Sequence, residues 1–257
     1  MTSTKPLIVI ISGGWHVPAS YDKLSNALRA EGFEVQVPRL PSTGQERPPT
    51  ADLAVDTSFI RGYFQELVDA GRTVVALMHS YGGHLGTNAL YGLGVAARSA
   101  KGLQGGVSHL IYMAAHAVVE GEAMMDTIER FGHAHLAPLA MDWDDDGSCV
   151  HRDPKTYLVG PGDYSDAEVE EYLGTLVRFN GKNIYDKSEH CAWREGIPII
   201  YIHTTNDMTV AYDYQKYFVE EMKKAGQTVQ TFVLETGHCP NFTATQGVVN
   251  AVKQVLS

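Results

Sequence analysis

The chain has 257 residues, 44% hydrophobic and 19% charged, a balance that suits one soluble globular domain with a sizeable core. A net charge of −10 with no offsetting Lys/Arg cluster argues against a nucleic-acid backbone as partner. Three widely spaced cysteines, Cys149, Cys191 and Cys239, offer no disulfide framework and suit a reducing compartment.

Along the chain, short apolar runs alternate with helical patterns. Pro6-Leu-Ile-Val-Ile-Ile11 is too short to span a bilayer and lacks the charged start of a secretory signal, so Leu7–Ile11 is expected to be a first core strand in a cytoplasmic protein. Tyr21–Ala30 has helical periodicity, Phe33–Val37 alternates as a strand, and Pro38–Thr50 is loop-like. A helix is expected over Ala51–Ala70, a strand over Thr73–Leu77, a helix of small residues over Gly83–Arg98 and a strand over His109–Ala114. Ile197–His203 and Thr228–Leu234 read as strands, Tyr212–Ala225 and Thr243–Leu256 as helices. This alternation predicts an α/β class, doubly wound, with a mostly parallel six-strand sheet buried on both faces. Residues 116–196 break the rhythm. They are expected to form a cap inserted over the carboxyl edge of a core made of residues 1–115 and 197–257, the edge where open α/β sheets bind ligands.

Chemistry concentrates at Ser80. The strand-like Thr73–Leu77 run ends in Met78-His-Ser-Tyr-Gly-Gly83, which implies a sharp strand-to-helix turn with a hydroxyl at its apex. The match to G-x-S-x-G is imperfect, because Met78 stands at the first glycine position, and a serine capping a helix is the bland alternative. A serine hydroxyl needs a base, and the base an orienting acid. His238, in Glu235-Thr-Gly-His-Cys-Pro240, and Asp207, in Thr204-Thr-Asn-Asp-Met208, each follow a predicted strand, so all three groups fall on one rim of the sheet in the order Ser, Asp, His. Oxyanion donors are expected from the Tyr81 N–H and from the Gly14 N–H in Ser12-Gly-Gly-Trp-His16. Trp15, His16, His116 and Trp143 are candidates for the substrate pocket.

Taken together, Ser12-Gly-Gly-Trp-His-Val-Pro-Ala-Ser-Tyr21, the Ser80 elbow, Trp193–Tyr201, Asn206-Asp207 and Gly237-His-Cys-Pro240 resemble the α/β-hydrolase superfamily, nearest its capped, esterase-like branch with plant methyl esterases, hydroxynitrile lyases and many fungal members. The resemblance covers nearly the whole chain and is weakest in the cap. It implies a serine hydrolase with Ser80, Asp207 and His238 as triad and no metal or organic cofactor. Three positions depart from the branch: Met78 in the elbow, Ser12 where histidine is frequent, and Cys239 where the plant lyases carry a lysine. The expected substrate is a small or medium, mostly apolar ester, lactone or thioester. The alternatives are a ligand-binding receptor on the same fold, or C–C cleavage, cyclase or lyase chemistry with the same triad. Expected partners are that small molecule and, at most, a second copy in a homodimer, with neither nucleic acid nor membrane.

Asp142-Trp-Asp-Asp-Asp-Gly147 resembles the start of a calcium loop, but its proline-rich flanks fit a hairpin turn at Asp146-Gly147 better. His133, His135, Cys149 and His151 match no zinc spacing.

Overall fold

The computed structural model describes residues 5–162 and 164–256. Met1–Thr4, where the reading of the chain start falls, lie outside them. In chain order the elements are β1 (Leu7–Ile11), α1 (Asp22–Ala30), β2 (Glu34–Gln36), α2 (Leu53–Asp69), β3 (Thr73–His79), α3 (Tyr81–Ala89), α4 (Val95–Ser99) and β4 (Gly106–Met113). The inserted segment holds α5 (Met124–Arg130), α6 (Ala137–Ala140), β5 (Met141–Trp143), β6 (Ser148–His151), α7 (Asp166–Leu173) and β7 (Phe179–Asn180). The chain closes with β8 (Ile199–Thr204), α8 (Tyr212–Lys224), β9 (Val229–Leu234), α9 (Pro240–Thr243) and α10 (Thr245–Leu256).

Six strands form one sheet in the order β2-β1-β3-β4-β8-β9, and every pairing is parallel. Period-two alternation sends successive strand residues to opposite faces. Leu7, Val9 and Ile11 join Val74, Ala76 and Met78 in a core with Ile60 and Phe64 of α2, Leu85 of α3 and Phe218 of α8. Ile8, Ile10, Val75 and Leu77 face the other way, onto Leu24 and Leu28 of α1 and Val248 and Val252 of α10. Because both faces are covered, the strands read as continuous apolar runs. Among the described residues no helix is long and apolar enough to cross a membrane.

Several expected boundaries move for local reasons. The Ala51–Ala70 helix begins at Leu53, because the Asp52 carboxylate accepts from the N–H groups of Ala54 and Val55 and caps the first turn. The Gly83–Arg98 helix is two pieces: α3 stops at Ala89, and the chain turns through Gly92 at φ +76° before α4. Strand β3 runs two residues past Leu77, to His79, and β4 starts early at Gly106 across a bulge opposite Val74/Val75. The last helix begins at Thr245, preceded by the separate turn α9.

The inserted segment has its own three-stranded antiparallel sheet, β5-β6-β7, with Gly147 at φ +82° in the hairpin between β5 and β6. Of the four acidic residues in the calcium-like stretch, Asp144 and Asp146 pair with Arg47, Asp144 also pairs with Arg178, and Asp142 pairs with Arg152. The segment is anchored to the rim by a small cluster in which Leu158, Val159, Val169 and Tyr172 pack on Cys239 and Phe242.

Candidate active site

Ser80 sits between β3 and α3 with φ 54° and ψ −120°, a conformation that costs a non-glycine residue about 1–3 kcal/mol. Neighbouring backbone holds it there. The Ser80 carbonyl accepts from the N–H groups of Gly83 (3.0 Å) and His116 (3.1 Å), and the Ser80 N–H donates to the Met113 carbonyl (3.3 Å). Helix α3 crosses β1 so closely that a Cβ on Gly82 would lie 2.2 Å from the Ile11 carbonyl oxygen. Met78, the unusual elbow residue, is fully buried, and a Cβ on Gly86 would lie 2.4 Å from its sulfur. The bulk missing at Gly86 makes room for the thioether, so the substitution in the elbow is compensated one helical face away.

The three sequence candidates converge. The Ser80 hydroxyl donates to His238 Nε2 at 2.9 Å, and His238 Nδ1 lies 2.8 Å from Asp207 Oδ2. A carboxylate only accepts, so Nδ1 carries the imidazole proton and Nε2 is the basic nitrogen facing the hydroxyl. Asp207 is itself fixed. Its Oδ1 accepts from the N–H groups of Thr209 and Val210, both at 2.8 Å, and its Oδ2 also accepts from Thr204 Oγ1 (2.9 Å) and Gln215 Nε2 (3.2 Å). His238 is held from behind by a second relay. The Gly13 N–H donates to the Tyr21 hydroxyl (2.8 Å), which donates to His79 Nδ1 (2.8 Å), and His79 Nε2–H donates to the His238 carbonyl (2.9 Å). Burial holds His79 well below its ordinary pKa, which keeps it neutral and able to accept at Nδ1.

Sequence reasoning missed these supports. Gln215 shows only as a polar residue on the buried face of an otherwise ordinary helix, and Tyr21 only as the residue before one. Also missed was a buried carboxylate, Asp56, which accepts from the Ser42 N–H (3.0 Å), the Ser42 hydroxyl (2.5 Å) and the Tyr81 hydroxyl (2.9 Å). Asn183 of the inserted segment donates to the same Tyr81 hydroxyl at 3.0 Å. Burial raises the Asp56 pKa, and the three donors oppose that shift.

Beside the serine, the loop after β1 presents Gly14 and Trp15. Trp15 has φ 65°, its carbonyl accepts from the Val177 N–H (2.9 Å), and its indole N–H donates to the Cys149 carbonyl (3.0 Å). Among the described residues the N–H groups of Gly14 and Tyr81 donate to no protein acceptor.

Ser80 opens into a cavity of about 380 Å³, lined by Trp15, Tyr81 and His116 from the rim and by Met124, His151 and Phe179 among others from the inserted segment. Two pocket expectations are corrected. His16 lies behind the loop: the left-handed turn at Trp15 sends the indole into the cavity and the imidazole away from it. His16 Nδ1–H donates to the Gly14 carbonyl (2.6 Å), its Nε2 accepts from the Tyr172 hydroxyl (2.9 Å), and burial lowers its pKa to about 4. Trp143 lies outside as well, 37% exposed at the outer end of a three-residue strand, its ring over Gly181 and against Tyr185. Cys239 is buried with its sulfur 3.5 Å from His16 Nε2, and burial pushes the thiol pKa up.

Comparison with known proteins follows this geometry. The alpha/beta hydrolase family profile matches residues 8–251. The chain belongs to the alpha/beta hydrolase family. Over 255 residues this hydrolase is 27% identical to the probable hydrolase R7 of a Phoma species, covering 98% of both chains. The fold is similar to that of a methylesterase, MES16, from Arabidopsis (TM-score 0.74, 19% identity, 97% of this chain and 98% of that one). It is also similar to a pyrethroid hydrolase from Sphingobium faniae (TM-score 0.71, 19% identity, 98% and 97%).

Proposed function

We propose that this α/β hydrolase is a serine esterase acting on small or medium, mostly apolar carboxylic esters, lactones or thioesters. The observation that carries the reading is the hydrogen-bonded line Ser80–His238–Asp207 ending in an apolar cavity. His238 Nε2 takes the Ser80 proton as Oγ attacks the ester carbonyl, and Asp207 stabilises the imidazolium and holds its ring. The N–H groups of Gly14 and Tyr81 receive the oxyanion, each such donor contributing about 2.7–4 kcal/mol to related transition states. His238 then protonates the leaving alcohol or thiol, and water enters by the same base to release the acid and restore Ser80. The inserted segment acts as the cap that covers the bound acyl or alcohol group.

The test is Ser80→Ala with an aryl ester such as a p-nitrophenyl alkanoate, beside fluorophosphonate labelling. Turnover by the variant should fall by roughly 10³-fold or more, and labelling of the unaltered protein should map to Ser80. A folded Ser80→Ala protein that turns over the ester at the original rate overturns the reading.

A further inference from the structure

Among the described residues, no Lys, Arg, Asp or Glu lines the Ser80 cavity. A charged substrate group would lose hydration there and meet no Lys, Arg, Asp or Glu in return. Uncharged polar groups are treated differently, because three imidazoles line the cavity: His133 Nδ1 is bonded to the Tyr214 hydroxyl (2.6 Å), while His116 and His151 have nitrogens that no well-formed protein hydrogen bond satisfies.

His116 follows β4. Its backbone N–H is bonded to the Ser80 carbonyl (3.1 Å), which keeps the residue beside the serine, and its ring packs edge-on against Phe218 at 5.7 Å. The side chain is buried, and Nδ1 has no hydrogen-bond partner. His151 comes from the other side, on β6 of the inserted segment. Its ring lies between Trp15 (centroids 4.3 Å apart) and Tyr157 (6.1 Å, near parallel), and among the described residues neither nitrogen makes a well-formed hydrogen bond, the ring having only a weak contact with the Ala140 backbone. Desolvation lowers both histidines to about 3, so each ring is neutral at ordinary pH and carries one donor and one acceptor. Leaving such a group unmet is unfavourable, a cost an apolar residue of similar shape would avoid at either position. His116 Nε2, which has no protein partner and is not enclosed, can meet a ligand oxygen directly, whereas both His151 nitrogens are enclosed and meet one only if that ring rotates between Trp15 and Tyr157.

We propose that the substrate is a neutral ester or lactone bearing at least one further hydroxyl or carbonyl oxygen, which the imidazoles of His116, beside Ser80, and His151, from the inserted segment, recognise. This rests on the esterase reading above and narrows its substrate class. Sites built to hydrogen-bond a substrate oxygen discriminate strongly against the analogue that lacks it, because their own polar groups are then left unpaired.

The test compares four aryl esters of matched size: a plain alkanoate, the same acyl chain with a hydroxyl group, the same chain with a keto group, and the same chain ending in a carboxylate. The unaltered enzyme should favour one of the oxygenated esters over the plain one by roughly ten- to a hundredfold in kcat/KM, and should disfavour the carboxylate ester by about a hundredfold. His116→Phe and His151→Phe keep a flat ring and remove the nitrogens. In at least one of them the preference ratio should fall about tenfold. If neither variant folds, the substrate comparison in the unaltered protein decides alone. An enzyme that hydrolyses the plain ester with no preference for any oxygenated one, or whose preference survives both substitutions, overturns the proposal while leaving the esterase reading intact. Absence of all ester turnover together with an unlabelled Ser80 removes both.

Discussion

Strand β3 has seven residues, six of them buried, before it reaches Ser80, and it is paired along its length on both sides. Strand β7 of the inserted segment has two residues, β5 has three, and the helices around them are short. The first region delivers chemistry. Rigid parallel strands end on one rim, and the loops that follow them present Ser80, Asp207 and His238 with hydrogen bonds to spare. The second region delivers shape. It contributes Met124, His151 and Phe179 to the cavity through short segments whose positions depend on what they pack against. The lesson is that the candidate reactive groups sit where backbone geometry is over-determined, whereas much of the cavity wall is supplied by short segments that can vary without disturbing the rim.

That contrast breaks most sharply at Asp207. Asp207→Asn keeps the shape of the side chain but puts an amide N–H where donors now bond, so kcat should fall by roughly 10²–10⁴-fold, with a loss of about 1–3 kcal/mol in stability from the donors left unmet. A variant within twofold of the unaltered rate would mean that the rim carries no special chemistry.

Next in size is acid stability. Burial lowers His16 and His203 to about 4 and His84, His116 and His151 to about 3. In the unfolded chain these groups titrate near about 6.5, so the unfolded state takes up protons first as pH falls. Stability is therefore fully present above that value, falls as pH drops below it, and stops falling once pH passes the folded-state values. Each histidine contributes a slope of about 1.4 kcal/mol per pH unit within its window. Four of the five lie in the core or on its rim and one, His151, in the inserted segment. Calorimetry between pH 7 and 4 should thus show one cooperative transition moving down in temperature. A constant melting temperature across that range would contradict the burial of these rings.

A smaller effect is expected at Tyr21, whose hydroxyl links Gly13 to His79. Tyr21→Phe leaves the Gly13 N–H and His79 Nδ1 unmet, which should cost about 1–3 kcal/mol in chemical denaturation and lower kcat several-fold with little change in KM. A fall confined to KM would place Tyr21 in substrate binding instead. The smallest effect belongs to Trp143, on the outer side of the inserted segment. Trp143→Ala should leave kcat/KM for a plain aryl ester within about twofold, the usual range for an exposed site away from the chemistry. A large loss would return Trp143 to the pocket.

Much of this was readable in the residues themselves. Continuous apolar runs such as Leu7–Ile11 and Ile199–Thr204 mark strands covered on both faces, because only such strands need no polar side. Chain order and the position after each strand were enough to single out Ser80, Asp207 and His238, since parallel crossovers bring every such loop to one edge. Local pattern ran out where partners are distant in sequence. That Met78 is accommodated by Gly86, that His79 supports His238 through Tyr21, and that Asp56 anchors Tyr81 are each set by side chains meeting across the fold. The same holds for His16 turning away from the cavity while Trp15 turns in, which depends on one left-handed residue in a loop. Periodicity and spacing thus determined the sheet and the candidate reactive groups, because those follow from backbone hydrogen bonding and burial repeated at short range. Tertiary packing alone decided which rings line the cavity and which nitrogens are left unpaired, because burial and pairing of a single side chain are properties of its neighbours in space.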